Sequence, residues 1–191
     1  ELSGEAYFDV VHHAQKPFVV TTPQLKIEVL GTKFNVAAPE GESFTEVVLA
    51  EGKVRLTGRA ADFSQLLDPD EKFVFDQQKK RGEITRVNAA QLTAWKDGIL
   101  IFRNEPLEEV FKRLGRWYNV RFELDNEQLR SYRFRATFEN ETVEEVVRLI
   151  ALTVPISWEM QERVMNPDGT WSPKIIQVKL KDNGLKQEGK R

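Results

Sequence analysis

His12 and His13 are the only histidines in the chain, and imidazole is the side chain best suited to proton transfer near neutrality or to binding a metal. Adjacent residues on a strand point to opposite faces, so the two cannot share one metal or one triad and read as a polar strand end. Asp68-Pro69-Asp70-Glu71 gathers carboxylates as a calcium loop does, but the loop glycine and the distal bidentate Glu of an EF-hand are missing. An ordinary Pro-containing turn explains it better. Glu108-Glu109 and Glu144-Glu145 offer paired carboxylates for acid–base work. Basic residues follow four positions later in three cases, Lys112, Arg113 and Arg148, which is the pattern of a solvated helix face. Cysteine is absent, which removes disulfides and thiolate metal sites. No P-loop, G-x-S-x-G or G-x-G-x-x-G occurs, so nucleotide binding and serine hydrolysis have no support. Asn140-Glu141-Thr142 matches a glycosylation triplet, but its Thr reads better as a helix cap. The residues therefore supply no catalytic group, no cofactor site and no metal site, and the chain is expected not to be an enzyme.

Four tryptophans, Trp95, Trp117, Trp158 and Trp171, would make a carbohydrate platform if exposed together. Trp117 falls on an apolar helical stripe and Trp158 alternates with Ile156 and Met160, so both read as core. Trp171 and Trp95 are the more exposed pair.

The elements that position these residues divide the chain in two. Residues 1–88 read as β: Leu25-Lys26-Ile27-Glu28-Val29 and Phe34-Asn35-Val36 alternate as half-buried strands do. Turns are expected at Glu51-Gly52, Asp68-Pro69-Asp70-Glu71 and Lys80-Arg81-Gly82-Glu83. Short strands at such spacing suggest a sandwich, a barrel or a β-solenoid. Residues 89–97 read as a connector, 98–181 as α+β, and 182–191 as a polar tail.

Within 98–181 the chain repeats itself. Phe102-Arg103-Asn104-Glu105-Pro106-Leu107-Glu108-Glu109-Val110 returns 36 residues later as Phe138-Glu139-Asn140-Glu141-Thr142-Val143-Glu144-Glu145-Val146. The register holds as far as Val120-Arg121-Phe122-Glu123 against Ile156-Ser157-Trp158-Glu159. One strand–helix–strand unit has been used twice. The first helix is predicted over 106–118, with Leu107, Val110, Phe111, Leu114, Trp117 and Tyr118 as its apolar stripe. Thr142 and Glu145 predict a capping box for the second. The fold class is thus α+β, an N-terminal all-β region of solenoid or sandwich type followed by a duplicated βαβ domain.

With 191 residues, 40% hydrophobic, 30% charged and a net charge of −2, the chain has the composition of a soluble globular protein. It lacks the basic balance that nucleic-acid binding needs. No apolar run approaches a membrane span, and Glu1-Leu2-Ser3-Gly4 opens into strand-like sequence rather than a signal peptide.

Several strings carry a resemblance. Gly4-Glu5-Ala6-Tyr7-Phe8-Asp9-Val10, Pro17-Phe18-Val19-Val20, Val29-Leu30-Gly31-Thr32-Lys33-Phe34-Asn35-Val36 and Glu51-Gly52-Lys53-Val54 resemble the periplasmic domain of FecR-like anti-sigma factors. Ala94-Trp95-Lys96-Asp97-Gly98, the Phe102-x-Asn104-x-Pro106-Leu107 pattern and Arg116-Trp117-Tyr118-Asn119-Val120 look like the C-terminal extension of Bacteroidota members. The resemblance implies a single-pass inner-membrane regulator whose periplasmic part receives a signal from the signalling domain of a TonB-dependent outer-membrane transporter. A cytoplasmic segment, absent here, would hold an extracytoplasmic-function sigma factor. It also implies that the duplicated unit is similar to the secretin and TonB short N-terminal domain, and that this chain begins inside the FecR domain, without its first strands. Where the family has Pro-Gly-Glu, this chain has Pro69-Asp70-Glu71, so no glycine is available for a left-handed turn and a different turn is expected.

The expected mode of action is protein–protein contact through an open sheet edge. Two candidate edges stand out: Arg133, Phe134, Arg135, Ala136, Thr137 and Phe138, and Ile175, Ile176, Gln177, Val178, Lys179 and Leu180. Arg130, Arg133 and Arg135 form a basic face that could steer an acidic partner, but a solvated strand face explains them better. Open edges would also let the chain dimerise. The rival reading is a periplasmic sensor that binds a glycan or metal chelate directly, with Trp95 or Trp171.

Overall fold

The computed structural model describes residues 1–59 and 63–181, and the expected polar tail lies outside them. The chain is mostly β with a few helices, an α+β protein, and divides into two compact units, Glu1–Leu100 and Ile101–Arg191.

In the first unit the strands are β1 (Gly4–Val10), β2 (Phe18–Thr21), β3 (Leu25–Val29), β4 (Thr32–Ala38), β5 (Phe44–Glu51), β6 (Val54–Gly58), β7 (Ser64–Leu67), β8 (Glu71–Asp76) and β9 (Arg81–Arg86). They form two antiparallel sheets, ordered β1-β4-β5-β8-β9 and β2-β3-β6-β7. Both sheets feed one core. Leu25, Ile27 and Val29 alternate inward from β3, while Phe34 and Val36 do so from β4, Val47 and Leu49 from β5, and Leu56 from β6. Their partners Lys26 and Glu28 face outward and pair at 3.0 Å. Burying each of these apolar side chains contributes about 1.5–3 kcal/mol, so the period-2 pattern constrains the register, which shifts once, between Lys33 and Phe34 where β4 pairs β5.

Two glycines explain why separate strings meet. A Cβ on Gly31 would lie 2.5 Å from the His12 backbone, and one on Gly52 would lie 2.7 Å from the Gly31 carbonyl. Thr32 then donates its hydroxyl hydrogen bond to the Lys53 carbonyl at 3.0 Å. The Leu30-Gly31-Thr32 and Glu51-Gly52-Lys53 strings are thus two sides of one backbone crossing. Gly82 works similarly at the edge, because the Phe73 ring occupies the space its Cβ would need. With Gly82 flattened beneath that ring, Arg81 to Glu83 continue as strand β9 instead of the expected turn.

After β9, a short helix α1 (Ala89–Thr93) starts on the Asn88 cap, whose side chain accepts from the Gln91 amide. A 3-10 turn at Ala94–Asp97 follows and ends at Gly98 with φ +82°. The connector expected over 89–97 folds onto the outer face of the five-stranded sheet. Helix α1 packs on β5, the Trp95 indole N–H donates to Asn35 at 3.2 Å, and Asn35 donates to Glu5 at 2.8 Å. Lys96 lies 5.4 Å above the Tyr7 ring.

The second unit follows the order β10 (Ile99–Pro106), α2 (Leu107–Tyr118), β11 (Val120–Leu124), α3 (Glu127–Ser131), β12 (Arg133–Glu139), α4 (Val143–Thr153), β13 (Ile156–Gln161) and β14 (Lys174–Leu180). The first strands of the two copies, β10 and β12, pair with each other. The second strands, β11 and β13, flank β14, which runs parallel to β11 and antiparallel to β13. Corresponding positions do the same work in both copies. Leu107, Val110, Phe111 and Leu114 are buried in α2, as are Val143, Val146, Val147 and Ile150 in α4. Asn104 and Asn140 both sit in the left-handed region, at φ 58° and 56°, which Asn tolerates better than most residues. The carboxylates of Glu105 and Glu141 each accept the backbone N–H two residues earlier.

A candidate docking edge on the two-stranded sheet

Strand β12 is launched by α3. The Asn126 side chain accepts from the Gln128 amide to start that helix, and Tyr132 leaves it in extended conformation. Arg133, Arg135, Thr137 and Glu139 are exposed, while Phe134 and Phe138 are buried. The two rings stack 6.2 Å apart, and both meet Phe102 of β10, at 6.5 Å and 6.0 Å. One side of the β12 backbone is occupied by β10. Its other side has no strand partner among the described residues. On β10 the Ile101 carbonyl accepts from Arg113 at 3.0 Å.

The second candidate edge is closed. Ile175, Ile176, Gln177, Val178, Lys179 and Leu180 belong to β14, which is paired on both sides, Ile176 facing Phe122 on one flank and Met160 on the other. Ile176 and Val178 are fully buried. A β-branched run announces a strand but not how many neighbours it acquires, and here the last described strand enters between two earlier ones. The open edges of that sheet are β11 and β13, which no local sequence signal distinguishes from the centre.

The basic face is also redrawn. Arg130 pairs with Glu108 at 2.7 Å and with Glu127 at 3.2 Å, so it belongs to the joint between α2 and α3. Arg133 donates to the Asn104 carbonyl at 3.0 Å. The exposed Arg103 of β10 extends the row: it alternates with buried Phe102 as Arg133 and Arg135 alternate with buried Phe134. Sequence reasoning missed Arg103 because only the pairing of β10 with β12 brings it to this sheet.

The other chemistry-bearing residues are engaged structurally. Asp68 pairs with Lys53 at 2.9 Å, the Glu71 carboxylate accepts from the Asp68 amide, and the Asp70 carboxylate accepts from the Ala89 amide at 3.0 Å. Asp70 itself adopts φ +61°. The left-handed turn is therefore kept without glycine, held by backbone bonds from Asp70 to Leu49 and from Val87 to Asp70. Glu144 pairs with Lys174, whose ammonium holds its carboxyl below the ordinary value. Glu145 is likewise lowered, first by the Thr142 backbone N–H and then by its hydroxyl. Tyr118 donates to the Glu141 carbonyl at 2.7 Å, and burial pushes its phenol up. Trp117, expected in the core, is 39% exposed. Trp171 is exposed and bridges Met165 across a hairpin. Among the described residues no three metal-ligating side chains come together, and no helix is long and apolar enough to cross a membrane.

Two family models match the chain in order, "FecR protein" over residues 2–55 and "FecR, C-terminal" over residues 99–165. The chain belongs to the FecR-like anti-sigma factor family. Two crystal structures of a candidate anti-sigma factor from Parabacteroides distasonis are similar to it, both at 26% identity over 94% of this chain and 78% of theirs, with TM-scores of 0.72 and 0.71. No curated protein matches. The family is regulatory rather than catalytic, and its role is signal transduction.

Proposed function

We propose that this chain is the periplasmic signal-transducing part of a transmembrane anti-sigma factor, which relays the state of a TonB-dependent outer-membrane transporter to an extracytoplasmic-function sigma factor. The relay works by contact. The signalling domain of the transporter adds a strand to an open edge of the second unit, and the sigma factor is held by a cytoplasmic segment outside this chain. In this reading the first unit is a two-sheet sandwich and the second is similar to the secretin and TonB short N-terminal domain. The observation that carries the reading is the unpaired side of β12, since a row of free backbone N–H and C=O groups is what strand addition uses. Calorimetry of this chain with the signalling domain of its cognate transporter is expected to give a 1:1 complex. Of two proline substitutions, at Ala136 and at Thr137, whose N–H groups point to opposite sides of β12, one is expected to weaken that complex more than a proline on β9 does. Absence of association, with the chain folded by circular dichroism, overturns the reading.

A further inference from the structure

The β10–β12 ribbon carries three arginines on its outer face, Arg103, Arg133 and Arg135. Among the described residues Arg103 and Arg135 have no ion-pair partner, and Arg133 bonds only the Asn104 carbonyl. The nearby acids do not neutralise the row. Glu105 is bound to Arg113 at 2.9 Å, and Glu108 is bound to Arg130. Glu139 lies on the same face of β12, at its far end. Within a chain of net charge −2, this is a local positive field whose acid on the same face of β12, Glu139, lies four residues beyond Arg135.

We infer that the strand received by β12 is acidic at alternate positions, with apolar residues between, so that its carboxylates lie over Arg133 and Arg135. This rests on the reading of β12 as the docking edge and names the chemistry of what docks there. Residues two apart on a strand are about 6.6 Å apart on one face, and a paired strand repeats that spacing with cross-strand Cβ distances of about 4.5–5.5 Å. A Glu-x-Glu segment therefore matches Arg133 and Arg135 pairwise, within reach of charge-assisted guanidinium–carboxylate bonds. The intervening residue of such a strand falls on the side of Phe134 and Ala136, where an apolar side chain extends the aromatic cluster. Single-stranded nucleic acid does not fit the same face, because its bases need exposed aromatic platforms and Phe134 and Phe138 are buried.

The test uses the whole chain and two blocked heptapeptides, one alternating valine with glutamate and one alternating valine with lysine. Amide shifts are followed by NMR at low and high salt. The inference expects shifts along Arg133 to Glu139 with the glutamate peptide alone, and an affinity loss of about tenfold in the Arg133→Gln, Arg135→Gln double variant or on raising the salt. Equal response to both peptides, or to the glutamate peptide in wild type and variant alike, overturns it. The same variant separates this inference from the transporter reading. If it binds the transporter's signalling domain as tightly as wild type, acidic recognition fails while edge docking stands. If the glutamate peptide shifts β12 but the domain does not bind, the identity of the partner fails and the acidic strand stands.

Discussion

The two copies of the repeat bury the same four helical positions, yet they fix their helices by different forces. In the first copy α2 begins at Pro106, which offers no side-chain cap. Its hold on the sheet comes from Arg113, whose guanidinium bonds Glu105 with both carboxylate oxygens and lies 4.5 Å over the Phe102 ring. The expected partner Glu109 is left to Lys112. In the second copy the position of Arg113 is taken by Leu149, which is half exposed, and α4 is held at its start by the Thr142–Glu145 capping box. Duplication has kept what the backbone and core require, the left-handed Asn and the inward aliphatics. The copies differ in how each helix is tied down and in where the second strand goes, into α3 from β11 and into a hairpin from β13.

The largest expected effect concerns what the copies share. Phe102→Ala and Phe138→Ala should each cost about 3–5 kcal/mol, and the double variant should fall short of the sum, because the rings touch at 6.0 Å. Chemical denaturation followed at a probe in the second unit measures this; strictly additive costs would mean that the two first strands do not share one core. Next comes the difference at the helix. Arg113→Ala breaks the ion pair with Glu105, whose side chain is 17% exposed, and should cost about 3 kcal/mol. Leu149→Ala at the matching position should stay within about 0.5 kcal/mol. Similar values for the two would erase the distinction.

How much of this was legible beforehand follows from the range of each force. Both long helices, the capping box and the β3 alternation rest on neighbours within about four residues, and the repeat on matching residues at a fixed offset of 36, both of which the sequence displays directly. The Ala89–Thr93 helix is five residues long and too short to show a period. Trp117 lies on the apolar stripe by spacing but at the margin of what α2 buries. The fates of β12 and β14 depend on pairing across dozens of residues: β14 became a centre, while β12 has one strand partner among the described residues. Arg113 turned from Glu109 to Glu105 because a half-buried carboxylate beside an aromatic face outweighs a solvated i,i+4 pair worth about 0.3–0.5 kcal/mol. The left-handed Asp70 was missed because the rule for glycine is a preference, and Asp tolerates that region at modest cost.

A smaller effect tests the shared turn. Asn104→Ala and Asn140→Ala should each destabilise by a part of the roughly 1–2 kcal/mol that a β-carbon costs in the left-handed region, because Asn offsets that cost with the local hydrogen bonding of its side chain and Ala cannot. Glycine at either position should restore most of the loss. Because φ is nearly the same in the two copies, the two costs should agree more closely than those of Arg113→Ala and Leu149→Ala. Thermal melts of the four variants are sufficient to decide it.

The smallest expected effect depends on pH and belongs to the second copy alone. The Glu145 carboxylate accepts from the Thr142 amide at 2.8 Å and from its hydroxyl at 2.9 Å, and these bonds hold its pKa below the ordinary 4.5. A group whose folded pKa is depressed contributes stability that is present above its unfolded pKa and lost as pH falls through the folded value. Acidification from pH 5 to below 4 should therefore loosen the start of α4, seen as faster amide exchange at Glu145 and Val146. The start of α2 has no such box to lose, since Pro106 has neither an N–H nor a side-chain oxygen to exchange with Glu109. Thr142→Ala keeps the backbone N–H that lowers Glu145 most and removes only the hydroxyl bond, so it should weaken the pH dependence without abolishing it, cost about 1 kcal/mol of stability, and move Glu145 part of the way towards its ordinary value in carbon-13 titration of the carboxyls. Equal acid sensitivity of the two helix starts would mean that capping is not what distinguishes them.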